Sequence, residues 1–116
     1  MNLIKIRLPM MGIVSILHRI SGVLMFVSIP LLVYLFHLSV TGEPEFERTL
    51  VLLQNPFMKL LLLLLAWSVF HHLFAGIRYL LIDIDIGINK PQARMSAYIA
   101  LFAGFLMAVI VLVMLL

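Results

Sequence analysis

Polar residues are rare along this chain and collect in a few places. Between them run three apolar stretches, from about Ile20 to Val40, from about Phe57 to Tyr79 and from about Tyr98 to Leu116. A helix rises 1.5 Å per residue and needs about 20 apolar residues to cross a bilayer. Each stretch is that long, so the pattern predicts three transmembrane helices in an all-α integral membrane fold, with residues 1–116 as one unit. Pro30 falls inside the first stretch, where neighbouring helices can re-satisfy the carbonyl it frees; a kink is expected there. The segment T-G-E-P-E-F-E-R after the first stretch reads as a polar loop with Gly42 and Pro44 as breakers. D-I-D-I-G-I-N-K-P-Q-A-R, after the second, is again broken by Gly and Pro. Pro9 to Leu17 are expected to form a short approach helix near the cytoplasmic interface. No internal repeat or low-complexity run divides the chain.

Composition turns this pattern into an exclusion. AVILMFWYC residues make up 65% of the chain and charged residues 11%, against about 45–50% apolar and 25% charged in a soluble domain. A chain of 116 residues has too little interior to hide that much apolar surface from water. A soluble enzyme, a disordered tail and a nucleic-acid-binding module are therefore excluded. The net charge of +3 reads instead as topology. Lys5, Arg7 and Arg19 border the N-terminal side and Arg78, Lys90 and Arg94 the second loop, against only Arg48 and Lys59 at the first loop. That asymmetry places the N-terminus and second loop in the cytoplasm and the C-terminus outside. No small-residue cleavage site follows Lys5 and Arg7, so the N-terminal run is expected to be a retained span rather than a signal peptide. With no cysteine in the chain, disulfides, thiolate metal sites and iron–sulfur ligation are absent.

An ionisable group at membrane depth is costly and marks a functional hypothesis. In S-I-L-H-R-I-S-G, residues 15–22, helical periodicity puts Ser15, His18, Arg19 and Gly22 on one face, continued by Phe26. One reading is snorkelling of Arg and His to lipid headgroups with Ser and Gly easing helix packing. The other is a polar pocket at the membrane edge for an oxygen-bearing amphiphile or an anion. In W-S-V-F-H-H-L-F-A-G-I-R-Y-L-L-I-D, residues 67–83, Ser68, Gly76, Tyr79 and Asp83 fall within about 40° of His72, with Ala75 on the flank. His71 and Arg78 lie about 100–120° away, so the adjacent histidines cannot serve one site. His72 looks across a stripe thinned by Ala75 and Gly76, where a flat partner or another helix can come close. An isolated membrane histidine is either interhelical glue or a metal ligand. With carboxylates only near helix ends, haem iron suits it better than zinc. A second axial ligand is not evident. His37 lies roughly 15 Å away in depth, His18 is placed at the cytoplasmic boundary above His72, and His71 points elsewhere. The chain would then be half of a site.

Taken together and in this order, S-I-L-H-R-I-S-G and H-x-x-x-G-I-R-Y-L-x-x-D resemble the cytochrome b membrane-anchor subunit of succinate dehydrogenase, the C subunit of its two small anchors. That family carries S-x-x-H-R-x-S-G before its first span and H-x-x-x-G-x-R-H-x-x-x-D across the cytoplasmic end of its second. The resemblance implies that His72 is an axial ligand of haem b, that Ser15 and Arg19 line the quinone pocket, and that His18 and Arg19 stand near the haem propionates. Asp83 matches the family's acid, and Tyr79 departs from the pattern, standing where the family usually has His. The second axial histidine is implied to come from a second small anchor subunit, so the three helices form half of a haem-binding heterodimeric bundle.

The implied function is anchoring and electron delivery in the tricarboxylic acid cycle and respiration, without independent catalysis. A flavoprotein subunit oxidises succinate, and an iron–sulfur subunit passes electrons to ubiquinone or menaquinone at the cytoplasmic edge of a bacterial inner membrane. Ser15 would donate a hydrogen bond to a quinone carbonyl, and Arg19 would stabilise the charge that develops there. Arg19 and His18 would offset propionate charge. Two other readings stay open: the anchor of a fumarate reductase running the chemistry in reverse, and a cofactor-free structural membrane subunit in which His72 only bonds a neighbouring helix.

Overall fold

The computed structural model describes residues 10–116, so the expectations resting on Lys5, Arg7 and Pro9 lie outside the described residues. Four helices and no strand occur in that range: α1 (Met10–Thr41), α2 (Glu43–Gln54), α3 (Pro56–Asp83) and α4 (Lys90–Leu115). Three of them, α1, α3 and α4, are long and apolar enough to cross a membrane, as the apolar stretches predict. Each extends beyond its stretch, because helical hydrogen bonding continues through polar residues that a hydropathy pattern excludes.

Two expectations are corrected. Met10 to Leu17 do not form a separate approach helix; they are the first turns of α1, which runs unbroken for 32 residues and continues across Pro30. At about 48 Å by helical rise, α1 exceeds the hydrocarbon thickness of about 30 Å, enough for both a span and a protruding end. The polar segment after Thr41 is not a loop but α2, with only Gly42 outside a helix. The residues read as breakers start this helix. Pro44 sits in its first turn, where a missing N–H costs nothing. Glu43 and Glu45 complement the positive end of the helix, and the Phe46 N–H reaches the Gly42 carbonyl at 2.9 Å. In the same way Pro56 and Pro91 open α3 and α4, and the Asn55 side chain accepts from the Phe57 N–H at 2.8 Å. The turn from α3 to α4 passes through two left-handed residues, Asp85 (φ 63°) and Gly87 (φ 71°). Glycine takes that conformation freely and aspartate with little strain.

Packing inverts the usual distribution of size. Ala93, Ala97, Ala100, Gly104 and Ala108 are the buried residues of α4, at helical spacing along one stripe. They face Ser68, His71, Ala75 and Arg78, the buried residues of α3. The outside carries the bulk: Phe26 is 74% exposed and Phe102 63%. Hydrocarbon solvates large apolar side chains as well as a protein core does, so helices associate in lipid where small residues allow close approach. The closest point is Gly104, where a Cβ would lie 3.0 Å from His71 Cα and 3.2 Å from its Cβ. Backbone there cannot yield without moving a helix.

Gly104→Ala is expected to destabilise the bundle by about 1–3 kcal/mol, the usual cost of overpacking. Thermal unfolding of the detergent-solubilised protein checks this, with lipid-facing Phe105→Ala, 62% exposed, as the near-neutral comparison.

Candidate functional site

Helices α1 and α3 meet through His18, Ser21, Gly22 and His72. His72 Nδ1 lies 3.1 Å from the His18 carbonyl oxygen and 3.2 Å from Ser21 Oγ. Ser21 Oγ itself donates to the His18 carbonyl at 2.7 Å. The approach depends on Gly22, where a Cβ would stand 3.1 Å from His72 Cε1. The His18 ring stacks on the His72 ring, with centroids 4.1 Å apart and planes 11° from parallel. Tyr79 meets His18 edge-on at 5.2 Å. The His18 ring also lies against Gly76, where a Cβ would make an ordinary contact with its Nε2 at 3.6 Å. The thinned stripe is thus occupied in part by a side chain of the same protein.

One nitrogen of His72 is engaged by α1, and the other, Nε2, has no hydrogen-bond partner among the described residues. The ring lines an open groove of about 430 Å³ together with His18, Gly76, Tyr79, Leu73, Ile77 and Leu80. The lining is almost wholly apolar apart from the imidazoles and the tyrosine. Among the described residues no group of three or more His, Asp or Glu side chains could chelate a metal ion. A metal here would be held through a single imidazole, as in haem ligation.

His18 corrects the expected depth. It is not above His72 but beside it, since the two rings stack with centroids 4.1 Å apart. Ser68 is also reassigned. It is fully buried on the α4-facing stripe with His71, Ala75 and Arg78, and its hydroxyl bonds back to the Leu64 carbonyl at 2.8 Å. Ser15 is half-buried and Arg19 exposed. Among the described residues neither belongs to the lining of the His72 groove; they stand one turn apart on α1. Asp83, the last residue of α3, is exposed, and so is His37 near the far end of α1.

The two adjacent histidines diverge as helical geometry requires. His72 turns to α1, whereas His71 is fully buried against α4, stacked on Trp67 with centroids 5.1 Å apart. Neither His71 nitrogen has a partner among the described residues, and the Tyr79 hydroxyl is likewise buried without one. Arg78, 5% exposed, donates from Nε to Ser96 Oγ at 3.0 Å and from Nη2 to the Ala93 carbonyl at 3.1 Å. The Ser96 hydroxyl donates in turn to the Ala93 carbonyl at 3.0 Å, closing the network. Ser21 went unread as a site residue in the sequence, although Gly22 beside it was placed on the face of His18. The signal is the S-G pair following His18 by three and four residues, which places both on its face of the helix.

Residues 2–112 match the family described as succinate dehydrogenase/fumarate reductase transmembrane subunit. The succinate dehydrogenase cytochrome b556 subunit of Coxiella burnetii is 36% identical over 95% of this chain and 89% of its own length. The proteins of that name from Rickettsia bellii and Paracoccus denitrificans are 30% and 28% identical, over 83% and 92% of this chain and 74% and 82% of theirs.

The Arg78 network gives a prediction about stability. Ser96→Ala strands a buried guanidinium donor, which costs about 1–3 kcal/mol. The same thermal unfolding measurement should show this loss, and Ser39→Ala, whose hydroxyl makes an exposed bond to its own helix, should show little.

Proposed function

Since the chain belongs to the succinate dehydrogenase/fumarate reductase transmembrane-subunit family, we propose that it is the cytochrome b membrane-anchor subunit of a succinate:quinone oxidoreductase. In this reading it holds haem b jointly with a second small anchor subunit and borders the quinone site. The observation that carries the reading is the posture of His72: Nδ1 engaged by α1, Nε2 unpartnered, and the ring on an apolar groove. These residues fit haem. The donor is an imidazole nitrogen and the groove walls are apolar, and a second imidazole would come from the partner subunit. Haem, when bound, supplies a one-electron redox centre.

The chain's own residues then have separate tasks. His72 ligates through Nε2, and Leu73, Ile77 and Leu80 keep water from the ring and thereby bear on the potential. His18, stacked on His72, and Arg19, exposed one residue further on, offset propionate charge. Ser15 and Arg19, one turn apart on α1 with Arg19 exposed, donate to a quinone oxygen, ubiquinone or menaquinone, with a partner subunit completing the pocket. A hydroxyl and a guanidinium aimed at that oxygen stabilise charge as it develops. A flavoprotein subunit and an iron–sulfur subunit supply the electrons. The protein lies in a bacterial inner membrane with its N-terminus in the cytoplasm, the side that the basic residues favour.

Reduced-minus-oxidised spectra of membranes containing both anchors should show b-type haem bands that His72→Ala removes. Bands unchanged in that variant would reject the ligand assignment. Ser15→Ala and Arg19→Ala should each lower quinone reduction about tenfold, the equivalent of one hydrogen bond of about 1–1.5 kcal/mol. Succinate oxidation by an artificial acceptor should survive both changes. Equal loss of the two activities would argue against a local quinone role.

A further inference from the structure

Ser21 has no task in the function above, yet its side chain is fully enclosed and touches the proposed ligand. A proton count shows what it does there. A serine hydroxyl has one hydrogen, and Ser21 gives it to the His18 carbonyl at 2.7 Å. The carbonyl has none to give. His72 Nδ1 stands 3.1 Å from that carbonyl and 3.2 Å from Ser21 Oγ. A bare nitrogen there would set its lone pair against two oxygens with no hydrogen between them. Nδ1 therefore carries the hydrogen and shares it between the two. A neutral imidazole has a single N–H, so Nε2 is left with the lone pair that a metal needs.

Bonding back three residues is common for serine in a helix. Ser28 and Ser39 do the same to the Met25 and Phe36 carbonyls at 2.7 Å, and neither hydroxyl pairs with a ring nitrogen among the described residues. What distinguishes Ser21 is the imidazole of another helix. Gly22 seats that ring against bare backbone, where a Cβ would approach Cε1 to 3.1 Å.

We propose that Ser21 is a positioning residue for haem binding: with the His18 carbonyl it fixes the Nδ1–H tautomer and the ring plane of His72, and so presents Nε2 to iron. The proposal rests on His72 being the axial ligand. Partners on the outer nitrogen of a ligating histidine raise its basicity, and losing one typically lowers metal affinity about 10–100-fold.

The test uses the complete membrane complex purified from wild type and from Ser21→Ala, Ser21→Thr, Ser28→Ala and His72→Ala. Subunit stoichiometry, haem lost to excess apomyoglobin and the midpoint potential of the b-type absorbance are measured for each. Ser21→Ala should assemble all subunits, hold haem at least about tenfold more weakly and shift the potential upward, since a less basic ligand stabilises ferric iron less. Ser21→Thr, which keeps the hydroxyl, should restore both properties, and Ser28→Ala should change neither. Wild-type retention and potential in Ser21→Ala, alongside loss of haem in His72→Ala, would overturn the role of Ser21 alone. Haem retained in His72→Ala would instead remove the ligand assignment beneath it. Failure of Ser21→Ala to assemble even with excess haem would make Ser21 a packing residue and also overturn the proposal.

Discussion

Hydrocarbon neither accepts nor donates hydrogen bonds, so a polar group at membrane depth has to find its partner within the bundle. Most of the buried polar chemistry in this chain follows from that constraint. Arg78 is satisfied by Ser96 and the Ala93 carbonyl and ties the end of α3 to the start of α4. His72 is satisfied on one side by the His18 carbonyl and Ser21 and ties α3 to α1. The three helices are thus joined at two polar points near the same end of the bundle. Along the rest of their length small residues face one another, because lipid gives no hydrophobic incentive to bury large ones.

The paired histidines show how the same side chain serves two ends in one turn of helix. His71 is used as a flat ring, stacked on Trp67 beneath the bare backbone at Gly104. His72 is used for its nitrogens, one held by α1 and the other left over an apolar groove. Their separation of about 100° around the helix axis makes both roles available without competition. Gly22 and Gly104 both allow a close approach to α3, but at Gly22 the contact is the His72 ring and at Gly104 it is the main chain of His71.

Much of the candidate site was legible in the sequence. Helical periodicity alone separated His71 from His72 and put His18 and Gly22 on one face of α1, and the structure brings those two to His72. Ser68 was misplaced because an angle of about 40° from His72 does not say on which side of the stripe the neighbouring helix lies. That the His18 ring lies against His72 rather than above it depends on how α1 is set against α3, which periodicity within one helix does not specify. The segment after Thr41 was misread because Gly and Pro interrupt a helix in its middle but help to start one. The alanine and glycine stripe of α4 was visible as spacing, yet its meaning depended on knowing that α3 lies against it.

The sequence by itself determined the solvent and the number of spans. Those properties follow from composition and from the length of the apolar stretches, both of which are local. Only the tertiary structure decided that the His18 carbonyl and Ser21, 54 and 51 residues from His72 along the chain, hold its Nδ1. The reason is geometric. A hydrogen bond needs its atoms within a few tenths of an ångström of 3 Å, and the position of one helix against another at that precision is set by the sum of all the contacts between them.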